Sequence, residues 1–445
     1  MKPRIGVAVI ARPTFDVPYA EEVAGKAWAT LDSLDAELIG SRDLLFDADA
    51  VRAAMPGLGE KPLDLLLVLQ ATFSDATMTV ELAKAIEAPL ALWSFPEPRT
   101  GGRLRLNTIC GTNLAAHALS RAGLNYSYLH RAADDPGAAA EISALAAAGG
   151  VRRRLRETSI AVIGARPAGF DTCRYDADAL RALCGVTVDP IDIGDFFDRA
   201  REVPDDETDT VHARVQADLG NLDEMEQEPL RKSLKVYSAM RRLADENGYS
   251  GLAVRCWPEF FTEFGGAACG PMGMMGEEGV ACGCEADVFG TISSLILNWL
   301  GGLPAFNTDL VDVDVADDTA VFWHCGQAPL SMADDQGPRR ATVHSNRRMP
   351  LLAEFALKPG RITIARLSQS KNEVRLIMGG GEMIRRPLAF SGTAGVARFD
   401  KPVSEVLDAI MAEGLEHHVA LAYGEHRPAL RQLASMMGIP AVEIT

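Results

Sequence analysis

Three carboxylates and three imidazoles stand where a chain would place reactive groups. Glu259 closes the run GLAVRCWPE, and Glu285 and Asp287 follow a cysteine–glycine–cysteine run in CGCEADVFG. His324 ends AVFWH, and His417 and His418 open HHVALAYG. Each lies at a junction between predicted elements, and ligands of α/β sheets gather beyond the carboxyl ends of the strands. Carboxylates with imidazoles, and no cysteines at zinc-knuckle spacing, suit Mn²⁺, Mg²⁺, Fe²⁺ or Co²⁺. Carboxylates that touch such a cation can also move protons. One removes a proton beside a carbonyl while the cation steadies the enediolate oxygens. That chemistry interconverts an aldose and a ketose. Taken singly, each of these acids reads as a solvated loop residue and each histidine as a hydrogen-bonded strand end; the case rests on the set.

The elements that must hold these groups follow from hydrophobic patterning. RIGVAVIA, LDLLLVLQ and PLALWSF are apolar runs of strand length, separated by helical stretches around 18–35, 76–87 and 110–123. This alternation predicts a parallel sheet covered on both faces. An alanine-rich and then basic stretch over 131–157 reads as a connecting helix, with VRRRLRE as a solvated face. TSIAVIGARPAGFDT restarts the strand–loop pattern, and GLAVRCWPEF is a strand running into a loop. TISSLILNWLGG is an apolar helix closed by glycines. The acidic pair in front of it would meet the positive end of the helix dipole. Beyond about 309, TDLVDVDVADDTAVFWHCG and RITIARLSQSKNEVRLIMGGGE alternate apolar and polar residues, an antiparallel signal, with GGGE as a hairpin turn. Helices at 403–413 and 427–437 bracket HHVALAYG.

Other motifs carry less. The glycine- and methionine-rich stretch over 265–279 reads as a glycine-rich loop whose methionines 272, 274 and 275 are packing filler or a loop wall, and it lacks both phosphate-loop and dinucleotide glycine patterns. No serine-elbow motif is present. The chain of 445 residues carries 44 Lys+Arg against 61 Asp+Glu, a net charge of -17, which disfavours nucleic acid and anionic membranes as partners. No run reaches transmembrane length, and eight dispersed cysteines read as reduced thiols, so a cytoplasmic protein is expected.

As a set, VRCWPEF, GEEGVACGCEADVFGTISSLIL, FWHCG and HHVALAYGEHRPALRQLASMMGIPAVEI resemble the L-fucose/L-arabinose isomerase superfamily, closest to its shorter, fucose-isomerase-like members. The likeness runs from about residue 250 to the end, with a looser fit over CGTNLAAHALSRAGLNYSYLH and AVIGARPAGFDT. The resemblance implies two α/β domains followed by a β-rich domain, and a homo-oligomer, trimer or hexamer. It implies an active site between the second and third domains, completed by a neighbouring subunit. A divalent metal, typically Mn²⁺, would be held there by two carboxylates and histidine. By position the first carboxylate falls on Glu259 and the second on the E-x-D pair, where fucose-type enzymes use the position of Asp287 and arabinose-type enzymes that of Glu285. The late histidine falls on His418, with His417 its neighbour, and the arabinose-type mid-chain histidine on His324. H-C-G places Cys325 near the site.

The expectation is an α/β chain with two doubly wound parallel-sheet domains and a β-rich C-terminal domain, bounded at 1–156, 157–308 and 309–445. It is a metal-dependent aldose–ketose isomerase acting on a small sugar. Glu259 and Asp287 are expected as metal ligands and acid/base pair, with His418, Glu285 and His324 completing the metal set and His417 orienting substrate. Trp93, Asn113 and Asp75, in the first domain, are expected to touch substrate from a neighbouring subunit. Two rival readings differ in class. One is epimerase or lyase chemistry on a sugar acid or sulfo-sugar, whose charge Arg12, Arg166 and Arg174 would bind. The other is a sugar-binding protein without catalysis.

Overall fold

The computed structural model describes residues 2–445. The chain forms two compact units, 1–154 with 431–438, and 155–430 with 439–445. The second α/β region and the β-rich region thus belong to one compact unit.

The first unit is built on a parallel sheet in which Arg4–Ile10 and Leu65–Gln70 are central, with Leu90–Ser94 and Ser127–His130 on one side and Glu37–Ile39 on the other. LLLVLQ and LALWS are buried at every position because helices cover both faces. This corrects one expectation: Trp93 lies wholly in the core, its indole N–H donating to the Arg131 carbonyl at 3.2 Å, and cannot meet a sugar. Asn113 is exposed on the helix Thr108–Arg121. Arg12 follows the first strand and is paired with Asp75 at 3.1 Å, so each neutralises the other.

The second unit joins two sheets. A four-stranded parallel sheet runs in the order Ala281–Cys284, Gly251–Val254, Ser159–Ile163, Thr187–Ile191. Its connections change direction between Ser159–Ile163 and Gly251–Val254, where a doubly wound sheet opens a crevice at its carboxyl edge. The other sheet closes on itself. Thr393–Phe399, Thr319–His324, Phe306–Asp314, His418–Tyr423, Gly360–Ser368 and Arg375–Ile384 pair in antiparallel succession, and the last pairs again with the first. Closure removes the unpaired edges that an open sheet of alternating strands would expose. Phe306, Phe322, Ile364, Ile377, Phe399 and Leu421 fill its interior, and a cavity of about 500 Å³ at one end reaches His417 and His418.

The helix Val288–Gly301 packs against strands of both sheets. Its first ten residues are all buried, which is why TISSLIL is apolar on every side rather than along one stripe.

Two glycine-rich segments differ from expectation. GGGE is not a turn: Gly379, Gly380 and Gly381 lie inside the strand Arg375–Ile384, at the seam where the barrel closes. A Cβ on Gly381 would overlap the Arg398 carbonyl and stand 3.0 Å from Phe399 Cα. Gly381→Ala is therefore expected to cost about 1–3 kcal/mol of stability, read as a lowered urea midpoint. The methionine-rich stretch is not a loop either, because Cys269–Glu277 is helical. Glycine recurs at every third position, and Cβ atoms on Gly270 and Gly273 would meet the backbone of Leu351 and Gln327. The glycines let these segments lie directly against the helix, while Met272 and Met275 turn into the core.

Candidate active site

Strand ends of both sheets in the second unit deliver the polar residues to one place. Trp257 and Glu259 follow Gly251–Val254, and Glu285 and Asp287 follow Ala281–Cys284. Phe170 and Thr172 lie in the segment after Ser159–Ile163. From the barrel, Asp309 and His418 are direct cross-strand partners. Their side chains share the barrel's outer face, since Phe306 and Leu421, an odd number of positions away, point inward.

Glu285 and Ala286 both adopt left-handed backbone, φ 59° and 58°. Consecutive non-glycine residues in that region cost energy and concentrate at functional sites. The turn lets Glu285 and Asp287 leave it in different directions.

Asp287 caps the helix Val288–Gly301: its Oδ1 accepts the Gly290 N–H at 2.9 Å. Its Oδ2 takes the Arg366 guanidinium and His418 Nδ1, the latter at 2.9 Å. The Asp287 and Arg366 side chains are 0% and 3% exposed. Burial alone would raise the Asp287 carboxyl, but Arg366 and His418 hold it far below the ordinary carboxylate range. Gly290 makes this packing possible, since a Cβ there would overlap the Asp287 carboxylate and lie 2.8 Å from the Arg366 guanidinium. Arg366 also donates to the Thr172 carbonyl at 3.1 Å. Asp287, expected as a metal ligand and acid/base group, thus has both oxygens committed. It orients His418 instead. With Nδ1–H bonded to a carboxylate, the neutral His418 ring presents an Nε2 lone pair.

That Nε2 faces two carboxylates. Asp309 Oδ1 lies 3.6 Å away and Glu285 Oε2 3.8 Å away. His418 Nε2 and Asp309 Oδ1 are both buried and have no hydrogen-bond partner. Buried polar atoms rarely stay unpaired. Two donors about 2.1 Å from one ion stand roughly 3.0–3.5 Å apart, so a shared cation would draw each carboxylate a few tenths of an ångström closer to Nε2. Candidate donor groups are Asp309 with His417 and His418, and Glu285 with His418 and Cys173. Burial and nearby Asp287 push the Cys173 thiol up.

His417 rests on His418 at 4.1 Å between ring centroids. Its Nε2 lies 3.1 Å from Glu285 Oε2 and its Nδ1 3.1 Å from Thr172 Oγ1. Burial alone would lower its pKa, but Glu285 and Asp309 raise it. The Trp257 indole N–H donates to Glu285 Oε1 at 3.0 Å. Burial alone would likewise raise the Glu285 carboxyl, but His417, His418 and Trp257 hold it below its ordinary value. Phe170 packs edge-on against Trp257 and His417. His324 stands beside the group rather than in it, 5.9 Å from His418 between ring centroids. Its Nδ1 accepts the Cys325 N–H at 2.9 Å, which leaves the neutral ring's proton on Nε2. Glu259 is not drawn in, because Arg255 holds both its oxygens at 2.7 and 2.8 Å. Asp309, Arg366 and Trp257, with Phe170, Thr172 and Cys173 beside them, are site residues that sequence reasoning did not single out.

Comparison with known proteins places the chain in a family. The model of the L-fucose isomerase C-terminal domain matches residues 322–445, and that of the fucose/sulfoquinovose isomerase N-terminal domain matches 6–156. A sulfoquinovose isomerase of Alkalicoccus urumqiensis is 31% identical over 98% of this chain and 98% of its own length. The chain belongs to the fucose/sulfoquinovose isomerase family. Proteins of the same name from Priestia megaterium and Clostridium sp. (strain MSTE9) are 28% and 29% identical, each over 97% of this chain and over 96% and 97% of their own lengths. As a member, the chain is an aldose–ketose sugar isomerase, with residue groups able to hold a metal. No helix among the described residues is long and apolar enough to cross a membrane.

Proposed function

We infer that this isomerase converts sulfoquinovose, or a closely related 6-sulfonated aldose, to its ketose, using a divalent cation held by Glu285, Asp309 and His418. The relatives' shared name supports the substrate. The observation that carries the cation is the pair of buried, unpartnered donors, His418 Nε2 and Asp309 Oδ1, facing each other beside Glu285. A carboxylate–imidazole donor set favours Mn²⁺ over a thiolate-seeking ion.

When bound, the cation would polarise the carbonyl and neighbouring hydroxyl of the open-chain sugar, making the carbon-bound proton between them acidic. Glu285 is kept ionised by its imidazole neighbours; with Oε2 turned to the cation, Oε1, oriented by the Trp257 indole N–H, accepts that proton. Asp309 supplies the second carboxylate, and His417, held toward its protonated form by Glu285 and braced by Thr172, keeps the Glu285 carboxylate ionised and in place. Asp287 fixes the tautomer of His418, His324 offers an Nε2–H from the side, and Trp257 with Phe170 forms an apolar wall that excludes water. Glu259 serves here by pairing with Arg255, which ties down the Ala165 and Arg166 carbonyls of the neighbouring loop. A cytoplasmic homo-oligomer is part of this proposal. The half-exposed Leu104 and Ile109 of the first unit support the assembly.

The test is turnover of sulfoquinovose before and after chelation, followed by NMR in D₂O. Activity should vanish on chelation, return with Mn²⁺, and yield ketose carrying deuterium at the carbon that gained the proton. Chelator-resistant turnover would remove the cation from the proposal, and a C2 epimer as product would replace isomerisation by epimerisation.

A further inference from the structure

Arg347 rests on Trp257, the residue next to Glu285, and has no counter-charge among the described residues. Its guanidinium carbon sits 5.1 Å from the ring centroid of Trp257 and 5.1 Å from that of Phe261. Trp257 is the residue whose indole N–H holds Glu285. One indole therefore touches the carboxylate group on one side and Arg347 on another. The contrast with neighbouring arginines is informative. Arg255 is saturated by Glu259 and the Ala165 and Arg166 carbonyls, and Arg366 is tied to Asp287. Of the loop arginines expected from sequence to bind a charged sugar, Arg166 pairs with Asp171 at 3.2 Å and Arg12 with Asp75, while Arg174 is exposed on the segment after Thr172 and not held against the aromatic wall.

Among the described residues, Arg347 has no carboxylate partner. Its one side-chain polar contact is Nη1 with His344 Nε2 at 3.4 Å. His344 in turn accepts the backbone N–H of Asn346 and Arg347 through Nδ1, so it fixes the loop that carries the arginine. Stacking on aromatic rings occupies the faces of a guanidinium and leaves its N–H edge free. A half-buried cation with a free edge, held by two aromatic rings, fits an oxyanion that accepts two parallel hydrogen bonds.

We propose that Arg347 is the specificity-determining residue that binds the anionic 6-substituent of the sugar, a sulfonate, while the carbonyl end lies against Glu285, Asp309 and His418. This rests on the substrate reading above and assigns the part of the site that distinguishes a sulfonated sugar from a neutral one. Trp257 then spans the substrate's length, holding the base at one end and the anion receptor at the other.

The test compares kcat/KM for sulfoquinovose and for glucose on wild type, Arg347→Gln and Arg347→Lys, with Mn²⁺ present. Arg347→Gln is expected to lose about 10- to 100-fold on the sulfonated sugar, mainly through KM, with a much smaller loss on glucose. Arg347→Lys should recover part of it, because it restores charge without the fork. Competitive inhibition by methanesulfonate should be present in wild type and lost in Arg347→Gln, with Mn²⁺ affinity the same in both. Equal losses on the two sugars would make Arg347 a packing residue and overturn the assignment. So would a wild type that prefers the sulfonated sugar and an Arg347→Gln that keeps the preference; the substrate reading would then survive. A wild type with no preference for the sulfonated sugar overturns both.

Discussion

Exchanging Glu285 for glutamine is expected to lower kcat/KM by about 10²- to 10⁴-fold, the usual worth of a general base in proton abstraction from carbon. The substitution nearly preserves shape. The amide oxygen can still accept the Trp257 N–H that Glu285 Oε1 accepts now, so the fold and the aromatic wall should survive. What goes is the negative charge beside His417 and His418. Two measurements should move together: turnover, and Mn²⁺ affinity by calorimetry. The thermal midpoint should stay within a few degrees. Wild-type turnover in Glu285→Gln would take this residue out of the reaction.

Asp287→Ala is expected to fail differently, through stability as much as through chemistry. It strips the cap from the helix Val288–Gly301, about 1 kcal/mol. It also leaves the buried Arg366 without its carboxylate, which costs about 3–5 kcal/mol. The Asp287→Ala, Arg366→Met double variant should therefore be less destabilised than Asp287→Ala alone, because the stranded charge goes with its partner. Urea midpoints of wild type, Asp287→Ala, Arg366→Met and the double variant test this. A double variant as unstable as the sum of its parts would show that the pair is not coupled. Asp287→Ala and the double variant should still lose activity, by about 10- to 100-fold, since His418 no longer has its orienting partner. The pH dependence has a definite sign. The Asp287 carboxyl titrates far lower folded than unfolded. Its contribution is complete above the unfolded value and lost only as pH falls below about 4, so the gap between wild type and Asp287→Ala should narrow only there.

The sequence carried the architecture well because its signals are local. Apolar runs of strand length, glycine helix ends and the change to alternation after about 309 all correspond to elements of the structure. The E-x-D pair was legible for the same reason: two acids ahead of an apolar helix are costly without a purpose. What sequence could not separate is how the two acids are placed. They are parted by a left-handed turn at Glu285 and by Arg366, 79 residues beyond Asp287, which takes one of them. Asp309 was hidden among the similar aspartates of TDLVDVDVADD, and only its cross-strand pairing with His418, more than a hundred residues later, sets it apart. Trp93 was over-read, although LALWS, apolar at nearly every position, already marked a strand buried on both faces. GGGE misled because glycine signals a turn and a close approach equally, and only a closed barrel makes the second reading necessary.

Asp309 and His418 stand opposite each other on hydrogen-bonded strands, so main-chain geometry sets their separation and they behave as one rigid jaw. Glu285 stands apart from that pair, at the end of a strand of the other sheet. Exchanging the proposed cation for a larger or smaller one should therefore be absorbed by Glu285 and the indole it grips, with the barrel strands keeping their register.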